Sequence, residues 1–148
     1  MRSNRALYPQ QIEDMYKILL EAEFTNKVSL VAHSPLIRAK ETCYGVLDLA
    51  NSNAMSVIPL DCLAEVTPWE MVLRGRRPVR KRINALQEWI VAQEADTIAL
   101  VGHSEYFLVM LGLKEKFKNC DVWKASYQNG RWVDLQLEHR LSDFAKEN

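Results

Sequence analysis

The sequence predicts an α/β domain of three layers, α/β/α, built on a mainly parallel sheet and closed by a C-terminal antiparallel hairpin. Three observations predict it. Two apolar runs, Val28 to Ala32 and Thr97 to Val101, each lead into a His-Ser pair, His33-Ser34 and His103-Ser104. A helix-like stretch follows both, and strands feeding helices build a parallel sheet whose ligands sit at the carboxyl ends of its strands. Further on, Asn129-Gly130 separates two strand-like runs, which is a strong signal for a tight hairpin turn.

Each element has its own local reason. Pro9 suits a first helical position, and Ile12, Met15, Ile18, Leu19 and Ala22 recur at helical spacing, predicting a helix over 9–23. Val28 to Ala32 is a short apolar run rather than an alternating one, as expected for a strand covered on both faces. Ser34 then reads as the cap of a second helix with Pro35 at its first position and Leu36, Ala39, Cys43, Val46, Leu47 and Ala50 as its buried stripe. Met55 to Leu60 reads as a strand weakened by Pro59. The segment 61–78, with two prolines and a glycine, reads as an irregular functional loop.

The clearest amphipathic pattern runs from Pro78 to Glu94, where Val79, Ile83, Leu86 and Ile90 form one stripe. Ile98 to Val101 is the second His-Ser strand. Tyr106 to Leu111 is apolar all round, predicting a short buried helix that stops near Gly112. Val122 to Tyr127 and Trp132 to Leu137 are the hairpin strands, and 142–148 reads as a loose tail.

The composition bounds the function. The 148 residues suit one domain, and no apolar run is long enough for a membrane span or a secretion signal, so the expectation is a cytoplasmic protein with no membrane partner. Nineteen basic and nineteen acidic side chains balance, which argues against nucleic acid as a partner. Between Arg74 and Arg82, six cations fall within nine positions; without interleaved aromatics they read as a solvated loop and first helical turn. Cys43, Cys62 and Cys120 lack the spacing of a zinc site and read as reduced, buried small hydrophobes.

Three segments in fixed order carry the chemistry: Ser34-Pro35-Leu36-Ile37-Arg38-Ala39, then Leu63-Ala64-Glu65-Val66 with Trp69-Glu70, then Val101-Gly102-His103-Ser104. Over about residues 10 to 125 this pattern resembles the histidine phosphatase superfamily, the phosphoglycerate-mutase-like proteins. The resemblance implies hydrolysis or transfer of a phosphate monoester through a phosphohistidine, with no metal and no organic cofactor. It implies that Arg38 clamps phosphoryl oxygens through its planar fork. His103 is then the second pocket histidine, donating to those oxygens, and Glu65 the proton donor to the leaving oxygen, with Glu70 competing for that role. Ser34 and Ser104 join Arg38 and His103 as candidate substrate-binding residues. The implied ligand is a small phosphorylated metabolite or a phosphoprotein.

Each candidate has a plainer reading. Arg38 could pair with Glu41 or Asp48 on its helix, Glu65 could be a solvated loop acid, and His103 could simply end a strand. Gly102 permits close backbone approach and so favours a ligand at His103. His139 reads as exposed and inert.

The chain departs from the family in lacking Arg-His-Gly, whose histidine is the nucleophile and which ends the family's first, central strand. Three explanations follow: an N-terminally incomplete domain, a catalytically inactive anion-binding or regulatory module, or His33 acting as nucleophile. A missing strand leaves neighbouring backbone groups unpaired, and such an edge would attract a partner strand, so a homo-oligomer is among the expected partners. A competing class is a serine hydrolase using Ser104, since Gly102-His103-Ser104-Glu105-Tyr106 nearly spells a nucleophile elbow. Tyr106 is too bulky for the last position, and His139 is the sole downstream histidine.

Overall fold

The computed structural model describes residues 2–49, 55–67, 70 and 77–141. Within them the chain is mixed α/β, with a three-stranded parallel sheet and a two-stranded antiparallel hairpin. The elements are α1 (Arg2–Glu21), β1 (Leu30–His33), α2 (Ile37–Val46), β2 (Ser56–Pro59), α3 (Arg77–Ala92), β3 (Ile98–Val101), α4 (Ser104–Leu111), β4 (Val122–Gln128) and β5 (Arg131–His139). Short 3-10 turns occupy Phe24–Asn26 and Asp61–Leu63. Among the described residues no helix is long and apolar enough to cross a membrane.

The parallel sheet has the order β2-β1-β3, and β1 is buried along its whole length. Alternation along β1 sends neighbouring side chains to opposite faces. Val31 accordingly joins an apolar cluster with Met15 and Leu19 of α1 and Cys43 and Val46 of α2. Ala32 joins the opposite cluster, with Val79, Ile83 and Leu86 of α3 and Tyr106, Phe107, Val109 and Met110 of α4. The hairpin contributes to both, through Val122 on the first and Trp132 on the second.

Strand β3 is terminal in its sheet. The Val101 carbonyl accepts the Ser34 N–H at 2.9 Å, so Val101 faces β1. Alternation then turns the backbone groups of Ile98 and Leu100 outward, where no strand among the described residues pairs with them.

Several local expectations are corrected. Helix α1 reaches back to Arg2, so Pro9 lies inside it rather than at its start, where its missing N–H forfeits one hydrogen bond to the carbonyl four residues earlier. Ser34 is not the cap of α2; the helix opens at Ile37 with Leu36 in extended conformation, and Leu36 is exposed rather than part of the buried stripe. Helix α4 starts two residues earlier than the apolar pattern indicates and ends as expected at Gly112, whose φ of 67° suits the left-handed cap. The hairpin turn takes positive φ at both Asn129 and Gly130, the geometry that Asn-Gly favours.

Only Cys43 is fully buried; Cys62 and Cys120 are half-buried, and all three are free thiols. Burial pushes the Cys43 thiol up to about 12. His139 sits opposite Val122 in the hairpin and is half-buried rather than exposed. The expected loose tail at 142–148, Ala50, Trp69 and the cations Arg74 and Arg76 lie outside the described residues.

Candidate functional site

Three parallel strands end at one edge, and each delivers one part of the site. Beyond β1 come Ser34 and then Arg38 in the first turn of α2. After β2 the 3-10 turn Asp61–Leu63 leads to Glu65. Past β3 stands His103, immediately before α4. The in-register pairing of His33 with Val101 puts the ends of β1 and β3 level, which is why residues far apart in sequence meet here.

Two contacts define the geometry. The His103 Nε2 lies 2.8 Å from the Ser34 Oγ. The Arg38 Nη2 lies 3.7 Å from the Glu65 Oε2, with both side chains well exposed. The Ser34 Oγ also accepts the Leu36 N–H at 3.3 Å, so one hydroxyl joins the start of α2 to the His103 ring. Burial lowers the His103 pKa below its ordinary value; the Glu65 carboxylate opposes that, and the Arg38 and Arg82 cations add to it.

The two acids have different surroundings. Glu70 is buried and held by Arg82 in a two-point contact, Nη2 to Oε1 at 2.8 Å and Nε to Oε2 at 3.2 Å. It also accepts the Thr67 N–H at 2.9 Å, while its own N–H donates to the Thr67 Oγ1 at 3.1 Å. Hydrogen bonding from Arg82 holds the Glu70 carboxyl below the usual carboxylate range, against the opposing effect of burial. Glu65 is the acid that faces Arg38.

Other expected residues fall elsewhere. Ser104 is half-buried at the start of α4, and no hydrogen bond joins it to a histidine among the described residues. His33 is 3% exposed, its Nδ1 donating to the Ser34 carbonyl at 2.8 Å and its ring edge-on to Tyr44. It is packed as a core side chain, not presented as a nucleophile. Gly102 has a packing reason: a Cβ there would come within 3.2 Å of the Phe107 ring.

Sequence reasoning missed Arg82, which it placed in a solvated run. Arg80 and Lys81 are exposed, but Arg82 turns inward with its side chain 23% exposed. A signal existed: Arg82 stands three residues after Val79 and four before Leu86, beside the buried stripe of α3. Among the described residues no group of three His, Cys, Asp or Glu side chains could hold a metal ion. Comparison of the chain with family models, curated proteins and solved structures gives no match.

Proposed function

We propose that this chain binds phosphate monoesters at the edge where Ser34, Arg38, Glu65 and His103 meet, as a phosphoglycerate-mutase-like protein of the histidine phosphatase type. The observation that carries the reading is the convergence of an Arg38–Glu65 pair at 3.7 Å and a His103–Ser34 hydrogen bond at 2.8 Å on the carboxyl edge of one parallel sheet. Arg38 supplies a planar pair of donors matched to phosphoryl oxygens. His103, held at Nε2 by Ser34, keeps Nδ1 to offer a ligand. Glu65 is placed to exchange a proton with the ester oxygen once an anion takes up Arg38.

The substrate class on this reading is a small phosphorylated metabolite or a phosphoprotein, and the parent reaction is phosphatase or mutase chemistry through a phosphohistidine. A second reading, an anion-binding module without turnover, is favoured by the histidines: His33 is buried and tied to a carbonyl, and His139 lies in the hairpin. Serine hydrolysis by Ser104 is disfavoured, because that residue has no histidine partner among the described residues.

Inorganic phosphate or vanadate binding, measured by calorimetry beside p-nitrophenyl phosphate hydrolysis, tests the reading. Binding that weakens in both Arg38→Ala and His103→Ala is expected. Turnover alongside that binding assigns the enzyme, and binding without turnover assigns the module. Binding unaffected by either substitution overturns the site.

A further inference from the structure

The Arg82 guanidinium uses all five of its N–H donors on one short segment of chain. Two go to Glu70, as described. The Nη1 donates to the Cys62 carbonyl at 3.1 Å and the Ala64 carbonyl at 2.6 Å, and Nη2 reaches the Glu65 carbonyl at 3.3 Å. Its Cζ lies over the Tyr106 ring of α4, 5.4 Å from the centroid. The residues it gathers are those that bring Glu65 to the sheet edge.

We infer that Arg82 is the positioning residue of the candidate site, setting where Glu65 stands relative to Arg38 and His103 by clamping the backbone carbonyls on either side of it. The inference rests on reading Arg38, Glu65 and His103 as one site. Arg82 acts through the loop, which takes up all of its donors. The segment has little other regular structure to hold it, since beyond the turn Asp61–Leu63 the chain from Ala64 to Thr67 is neither helix nor strand. A clamp on three carbonyls requires a planar fork with fixed donor directions. Lysine brings equal charge to Glu70 but only three donors from a single nitrogen, too few for three carbonyls and two carboxylate oxygens.

The distinction can be read at His103 in the full-length chain. The His103 imidazole is titrated by NMR in the wild type, Glu65→Gln, Arg82→Lys and the double variant. In the wild type, Glu65→Gln lowers the His103 midpoint, because the lost carboxylate had favoured the imidazolium. In the Arg82→Lys background the same substitution leaves the midpoint unmoved, while cooperative thermal unfolding is retained. An equal shift in both backgrounds overturns the positioning role and leaves the site reading standing. No shift in the wild type overturns the site reading, and the inference with it. Should Arg82→Lys fail to fold, Glu70→Gln serves, since it keeps the fork on the three carbonyls. Glu65–His103 coupling must survive there, and its loss assigns the positioning to the ion pair instead of the clamp.

Discussion

Ser34 illustrates how one side chain acquires a role that its local sequence does not announce. Next to Pro35 it has the grammar of a helix cap, yet its buried hydroxyl accepts from Leu36 and bonds His103, sixty-nine positions away. Two residue-level predictions follow from such pairings. An anion beside an imidazole stabilises its charged form, so inorganic phosphate is expected to raise the depressed His103 midpoint in an NMR titration. Arg38→Ala should abolish that rise. The second concerns Asp121, whose side chain is fully buried and bound by Arg140 at 2.9 and 2.8 Å and by the Lys118 N–H at 2.8 Å. Asp121→Ala removes the buried carboxylate that holds Arg140 and the Lys118 N–H, and is expected to cost about 1–3 kcal/mol in urea denaturation.

At the scale of elements, close packing sets the tolerances. Helix α2 meets α1 at Gly45, where a Cβ would overlap the Ile12 Cγ2. Alanine normally strengthens a helix interior by about 1 kcal/mol over glycine, but here overpacking costs about 1–3 kcal/mol. Gly45→Ala should therefore lower Tm, and pairing it with Ile12→Ala should recover part of the loss. Helix α3 was legible because its stripe of Val79, Ile83, Leu86 and Ile90 is the burial pattern observed, with Ile90 half-buried at the end. The start of α1 was not. Proline inside a helix forfeits a hydrogen bond and crowds the carbonyl four residues back, so local preference places it at the first position, whereas α1 runs through Pro9.

For the molecule as a whole, the parallel sheet ends in an apolar strand. Ile98, Ala99, Leu100 and Val101 carry neither the charge nor the proline that blunts a sheet edge, whereas the other terminal strand, β2, ends in Pro59. Hydrogen exchange should show the Leu100 amide exchanging faster than those of Ala99 and Val101, which face β1. Equal protection across the three would mean that something pairs with that edge in solution. Acid stability is a second whole-molecule property. Glu70 titrates below the ordinary glutamate value of about 4.3, so its contribution is complete above that pH and is lost as pH falls through the lower folded value. In Glu70→Gln the acid limb of the stability curve should flatten, with stability reduced at neutral pH.

Hydrophobic periodicity, an Asn-Gly turn and the recurrence of His-Ser after two apolar runs determined the class of the fold and the order of the strands and helices. Those are local properties, written by which side chains must leave water and which backbone angles a residue accepts. Tertiary structure decided the rest: that Glu65 faces Arg38 while Glu70 is locked to Arg82, that His33 is core and His103 is not, and that Ser34 bonds His103 rather than capping a helix. The physical reason is common to all of them. A charge or hydroxyl takes its role from the partner that desolvation leaves within reach, and that partner is chosen by packing between segments distant along the chain.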